Sequence, residues 1–279
     1  MEFGVAYNTA YQGVDPDRIA GFAVHAEECG FAAFYVPEHI VLYPGAKVGP
    51  FEMPPGLPIA DPLETLSFVA GVTGRILLGT GVLIVPFHHP VVLAKRLATL
   101  DALSKGRMRR LTVGVGSLPG EAAAVGVDFA SRGRVADEAI DILRLLWTGG
   151  EDGVSFHGEF FDFDDLVSFP KPLGEVPIQV GGSSRAAARR AGTRGDGYFP
   201  GGRLDATERA AQWEIAQKAA AERGRTLAYT RWGSIDMDRD RVEELAAQGV
   251  TRIVVNASGQ TLEEQKEELS AFAERFALG

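Results

Sequence analysis

Cysteine is almost absent from the chain, which holds one, Cys29. A single thiol makes no disulfide within the chain. That excludes a disulfide-stapled secreted scaffold and fits a reducing compartment. Long apolar runs are missing too. None reaches the ~20 residues that a membrane span needs. The first residues, MEFGVAYNTAYQGVD, have neither the basic start nor the apolar core of a secretory signal. A soluble cytoplasmic protein with no membrane partner is expected. Positive charge is scarce: 28 Lys and Arg stand against 37 Asp and Glu, a formal net charge of −9. Sequence-independent nucleic-acid binding needs a basic footprint, so no nucleic-acid partner is expected. There is no P-loop, no nucleophile elbow and no protein-kinase set. The pair His88-His89 has no Cys or acidic cluster at ligand spacing, so it reads as a turn before Pro90 rather than as a metal site.

What the chain does have is glycine, 34 of 279 residues, in a background that is 46% hydrophobic. That length buries a large core and suits one α/β barrel or two ordinary domains. Residues 76–116 set the pattern. Ile76–Leu78 and Val82–Val85 are too continuously apolar for a half-exposed strand and suit a parallel strand buried on both faces. Gly79-Thr80-Gly81 interrupts the run, as expected of a bulge, of tight barrel packing or of a close ligand. Pro90 opens a helix with Leu93, Leu97, Leu100 and Leu103 on one face, and Gly106 ends it. Leu111–Val115 is the next strand and again runs into glycine.

The same alternation continues from end to end. Further strands are expected at 3–7, 33–37, 178–180, 196–199, 227–232 and 252–255, with helices between them. Asp15-Pro16, Asp61-Pro62 and Thr261 with Glu264 mark helix starts. A proline- and glycine-rich loop over 40–60 is too long for an ordinary connection and reads as functional or mobile. The stretch 152–172, centred on VSFHGEFFDF, alternates like a hairpin. Eight strands in 279 residues give about 35 residues per unit, the size of a βα repeat. The expected fold is a (β/α)8 TIM barrel, one domain over 1–279. It carries a hairpin insertion at about 152–172, between the fourth helix and the fifth strand. An open doubly wound sheet would show a Gly-rich fingerprint after its first strand, where this chain has Asn8-Thr9-Ala10-Tyr11.

In a barrel, ligands meet the loops that follow the strands. That face collects Glu38, His39, Thr80-Gly81-Val82, Gly114–Ser117, Gly181–Ser184 and Gly201-Gly202. His39 can donate or accept a proton near neutral pH, or it is a plain polar loop residue. Glu38 would orient it or cap the loop. Gly181-Gly182-Ser183-Ser184 opens a helix with unhindered amides, which is either an anion site or a simple Ser cap. Gly201-Gly202 adds bare backbone, and Arg185 and Arg203 are near in sequence. Gly4, Tyr7, Tyr43 and the Phe-rich insertion are candidates for the pocket wall.

GTGVLIVPFHHPVVLAKRLATLDALSKGR, continued by VGVG, resembles the signature of the luciferase-like flavin and deazaflavin oxidoreductases, closest to the branch assigned to the deazaflavin coenzyme F420. The resemblance covers nearly the whole chain. It implies an oxidoreductase that moves a hydride between coenzyme F420 and a small organic substrate, assembled as a homodimer. It also implies roles for particular residues. Thr80-Gly81-Val82 would form a bulge with a cis Gly81–Val82 peptide behind the cofactor ring, with Val115 and Gly116 beside it. The cofactor phosphate would rest on Gly181-Gly182-Ser183, supported by Gly201 and Gly202. His39, in Pro37-Glu38-His39, would be catalytic. FMN users in the family often carry an arginine after strand four, where this chain has Val115 or its neighbour Gly114. An FMN-dependent monooxygenase on the same barrel is the alternative, and a barrel that binds a flavin or deazaflavin without turnover is the alternative of another class.

Overall fold

Most apolar runs of the sequence become one parallel strand each, and the strands close on themselves. The run over 76–85 instead divides at Gly81, with Leu77–Thr80 in the barrel and Leu83–Ile84 pairing separately with Val113–Gly114. The computed structural model describes residues 1–201 and 204–279. Its barrel strands are β1 (Glu2–Ala6), β2 (Ala33–Val36), β3 (Leu77–Thr80), β4 (Met108–Gly114), β5 (Ile178–Gly181), β6 (Gly197–Phe199), β7 (Ala228–Ser234) and β8 (Arg252–Asn256). Neighbours pair in parallel in chain order. The ring closes where β8 meets β1, with Phe3 opposite Ile253. Closure removes sheet edges, and the helices outside bury the strands' outer faces. The expected TIM barrel is therefore present.

The helices are α1 (Thr9–Gln12), α2 (Pro16–Glu28), α3 (Pro62–Val72), α4 (Pro90–Leu103), α5 (Pro119–Ala124), α6 (Arg132–Thr148), α7 (Arg185–Arg194), α8 (Ala206–Ala221), α9 (Arg239–Ala247) and α10 (Leu262–Phe276). Their starts follow local chemistry. Asp15, Asp61, Ser184, Asp205 and Asp238 accept from first-turn amides, and Thr261 with Glu264 forms a capping box. In α6, Val135, Ala139, Ile142, Leu143 and Leu146 are buried as their spacing predicts. In α4 the stripe ends a residue early. Leu103 is 73% exposed, and Ser104 is buried in its place. The reason is drift: ten residues beyond Leu93, position 103 has rotated off the core face.

Two excursions leave the regular pattern. Between α6 and β5, Val154–His157 pairs antiparallel with Asp162–Leu166, the hairpin expected there. Glu138 of α6 holds its tip by accepting from the amides of Glu159, Phe160 and Phe161. After β2, the loop over 40–60 carries a short antiparallel ribbon, Lys47–Val48 with Phe51–Glu52. At the amino end of the barrel, Glu2 of β1 bonds Arg110 of β4 and Arg252 of β8, an ion network across the interior. Among the described residues, no helix is long and apolar enough to cross a membrane.

Candidate active site

The carboxyl end of the barrel opens into a cleft of about 500 Å³. Glycines shape its floor. The Gly81–Val82 peptide, just past β3, is cis. The Val82 side chain lies between β4 and β5, where both strands end in glycine. A Cβ at Gly114 or at Gly181 would come within 2.6 Å of a Val82 methyl. Gly81 faces the Trp232 ring of β7, at 3.4 Å from where its Cβ would be. Gly79 answers to packing instead, since a Cβ there would collide with Arg110 and Tyr35 inside the barrel. Val115 and Gly116 line the cleft with Gly81, Val82 and Gly114. Thr80 does not reach it. Its side chain is fully buried, with the hydroxyl donating to the Thr112 carbonyl at 2.7 Å. The strand turns it into the barrel wall, so Thr80 stiffens the floor from behind.

The far wall is built by the loops after β5 and β6. Gly182 has φ +113°, in the region that favours glycine. The Gly182 carbonyl accepts from the Tyr198 hydroxyl at 3.0 Å, and the Ser183 carbonyl accepts from Gln212 Nε2 at 3.1 Å. Both partners come from the protein side, β6 and α8. In a trans peptide the N–H points opposite the carbonyl. The Ser183 and Ser184 amides are thereby turned away from the protein. Ser184 then caps α7 through the Ala187 amide at 3.1 Å, and the positive end of that helix faces the same turn. Ser183 Oγ donates to the Gly201 carbonyl, tying the two loops together. Burial pushes the Tyr198 phenol up, so it stays protonated and keeps donating. Gly202 and Arg203 lie outside the described residues. Arg185 pairs with Glu208 at the surface, which accounts for its charge.

His39 lines the same cleft. Its Nδ1 is 3.0 Å from Glu121 Oε2. Glu121, on α5, is fully buried, and its other oxygen accepts from the Ile40 amide at 2.6 Å. Glu38 does not orient His39. Its carboxylate takes the Ile84 amide at 2.5 Å and His88 Nε2 at 2.9 Å, which clamps the β2 loop to the segment after Val82. So His88 is a partner of Glu38 and belongs to the turn before α4. Tyr7 is off the cleft, buried in the core with its hydroxyl donating to the Gln12 carbonyl. The insertion's Phe160, Phe161 and Phe163 line a separate hollow with His89 and Val92.

A second, smaller chamber of about 210 Å³ adjoins the cleft, sharing Pro37, Gly81 and Trp232 with it. Its other walls are Ala6, Asn8 and Asn256, none of them ionisable. Among the described residues, no group of three or more His, Cys, Asp or Glu side chains is placed to hold a metal ion. Val48, Ile84, Ala187 and Phe199 line the cleft without having been singled out by sequence reading. Glu121 and Trp232 are two further site residues that it missed. The signals were slight: a carboxylate in an alanine-rich short helix, and an aromatic residue at the carboxyl end of a strand.

Fold and cleft together define a (β/α)8 barrel with an open cleft at its carboxyl mouth. The luciferase-like monooxygenase family model matches residues 1–276, and the chain belongs to that family. An uncharacterised protein of Mycobacterium tuberculosis is 33% identical over 240 residues, 82% of this chain and 81% of that protein. The F420-dependent glucose-6-phosphate dehydrogenase of Kineococcus radiotolerans is 34% identical over 200 residues, 70% of this chain and 55% of its own. Among solved structures, monooxygenase RslO1 from Streptomyces bottropensis matches with a TM-score of 0.82 at 20% identity, covering 99% of both chains. An F420-dependent secondary alcohol dehydrogenase in complex with an F420–acetone adduct matches at 0.79 and 17% identity, over 99% of this chain and 98% of that one. At such identities the structures speak to the fold. The family is one of oxidoreductases and monooxygenases, with both F420-dependent and flavin-dependent neighbours.

Proposed function

We propose that the chain is an oxidoreductase that moves a hydride between coenzyme F420 and a small organic substrate. One observation carries the reading: a single cleft is lined both by a histidine and by a turn of outward-facing amides at a helix start. A planar ring with an anionic tail needs both. The glycine floor fits such a group, because side chains at positions 114 and 181 would fill the space that Val82 and the cleft now share. Gly81, Val82, Val115 and Gly116 would hold the ring. Gly181, Gly182 and Ser183 would hold the phosphate, with Gly201 beside them. When bound, the deazaflavin supplies hydride chemistry. The end of β4 reads Gly114-Val115-Gly116, without the arginine that FMN users of the family often have there, which favours F420 over FMN. The similar Kineococcus enzyme, F420-dependent by name, points the same way.

In this reading the chain's own groups bind, orient and exchange a proton. His39 takes up or gives back the substrate's proton at Nε2, and Trp232 walls the substrate from β7. The neutral lining of the smaller chamber matches an uncharged substrate. A homodimer, the state expected for the family, is part of the proposal. Titration with F420 and with FMN, followed by absorbance, tests it. Saturable F420 binding, with bleaching or recovery of the deazaflavin on adding small alcohols or carbonyl compounds, is the expected result. Binding of FMN alone with oxygen-dependent turnover would favour the monooxygenase reading. Saturable binding with no redox change from any donor would favour a carrier.

A further inference from the structure

The pairing of His39 with Glu121 joins residues 82 positions apart, and it decides which nitrogen of the histidine carries the proton. We infer that Glu121 is a positioning residue that fixes the tautomer of His39. The step from tautomer to turnover rests on the proposed role of His39; the tautomer itself does not.

Both oxygens of Glu121 are engaged. Oε1 accepts from the Ile40 amide at 2.6 Å and Oε2 faces His39 Nδ1 at 3.0 Å, with the carboxylate fully buried. A carboxylate only accepts. Opposite it, Nδ1 must be the N–H of the neutral ring, which leaves the lone pair on Nε2. The imidazole is 19% exposed and lines the cleft. Nε2 is then the nitrogen left to take a proton from a ligand. The neighbouring residue strengthens the clamp. A Cβ at Gly120 would come within 2.5 Å of the Tyr43 ring, and the Gly120 amide donates to the Tyr43 hydroxyl at 3.3 Å. Residues 39, 40 and 43 of the loop after β2 are thus fastened to α5, and the imidazole has little freedom to turn.

Glu121→Gln makes the inference testable because it keeps the shape and changes one proton. The Ile40 amide demands an acceptor, so the carboxamide oxygen faces it. The NH2 group then faces Nδ1, which must become an acceptor, and the ring proton moves to Nε2. The cleft nitrogen changes from acceptor to donor. Histidine ring ¹⁵N shifts in selectively labelled, ligand-free protein read this directly, with His39→Ala assigning the resonances. The expected result is Nδ1–H in the wild type and Nε2–H in Glu121→Gln. A wild-type ring protonated on Nε2, or a Glu121→Gln ring unchanged from wild type, would overturn the inference. The wild-type spectrum decides even if the variant folds poorly. In turnover, Glu121→Gln should lower kcat by ~10²-fold or more while leaving coenzyme Kd near wild type, as expected when a general base is held in the wrong tautomer. An inverted tautomer with unchanged kcat would overturn the positioning role. Should F420 fail to bind the wild type, the proposed function fails, and the ¹⁵N result still settles what Glu121 does.

Discussion

Val82 projects into a gap left by two glycines on neighbouring strands, and that gap ties floor packing to ligand room. Gly181→Ala places a methyl within 2.6 Å of Val82 Cγ1. Overpacking of this kind costs ~1–3 kcal/mol, and the strain is shared with whatever the cleft holds. Gly181→Ala should therefore lower stability and weaken the coenzyme, and adding Val82→Ala should restore much of both. Urea melts and coenzyme titrations of the two single variants and the double variant check this. Simple additivity would mean that the side chains do not meet as described. At the other wall, Ser183→Asp sets a carboxylate against both the Gly201 carbonyl and any bound phosphate. Coenzyme Kd should rise at least ~10-fold, and Ser183→Ala should change it far less. His39→Ala should lower kcat by ~10²–10⁴-fold with coenzyme Kd nearly intact. His39→Gln separates proton exchange from positioning, since near-full activity in Gln but not in Ala would mean the side chain only orients the substrate. At this scale the sequence was half legible. His39, Gly181 and Val115 could be placed on the right face because each lies at or just past the carboxyl end of a strand. The partners of Glu38 and His39 could not. They lie 50 and 82 residues away and meet only because the parallel pairing of β2, β3 and β4 brings the loops after them to one end of the barrel.

At the level of elements the sequence is far more explicit, because each helix and strand obeys a local rule. Proline at the first turn, an Asp, Ser or Thr cap and a glycine after the last turn mark helix bounds in chemistry that acts over a few residues. Continuous apolar runs mark strands buried on both faces. Where a local rule failed, geometry supplied the reason, as at Leu103, rotated off the face its spacing suggested. The insertion shows the limit of pattern reading. Its alternation predicts a hairpin, but not that Glu138 of α6 would hold the tip through three amides. A Cβ at Gly158 would come within 2.4 Å of that carboxylate, so the tip is moulded around it. Glu138→Ala should free the tip locally and leave the barrel intact. Hydrogen exchange at residues 159–161 should speed up by roughly 10-fold or more, with global unfolding little changed. Unchanged exchange there would show that the strand pairing alone orders the hairpin.

Across the whole molecule the two ends of the barrel are built on opposite principles. The carboxyl end opens into a cleft whose floor is shaped by glycines. The amino end is filled, with Glu2 bonding Arg110 at 2.9 Å and Arg252 at 2.7 Å, so that strands β1, β4 and β8 are tied through one carboxylate. Burial alone would raise the Glu2 pKa. The two guanidiniums outweigh it and hold the carboxyl below its ordinary value of 4.5. A carboxylate with a folded pKa below its unfolded one stabilises the fold above the unfolded pKa. That contribution is lost as pH falls through the folded value. Other carboxylates held low, such as Glu27, act in the same direction, so the wild type should weaken in acid. Glu2→Gln isolates one share of that effect. It leaves two arginines facing a neutral group. A buried pair broken in this way costs ~3–5 kcal/mol, but Glu2 retains solvent access, so ~1–2 kcal/mol at pH 7 is the expected loss. As pH drops from about 5 towards 3, wild type and variant should converge in stability, because the wild-type carboxyl is then being protonated. Urea unfolding at pH 7, 5, 4 and 3.5 reads both. Curves that stay parallel across that range would mean that Glu2 gains nothing from its arginines, and that the amino end of the barrel is held by packing instead.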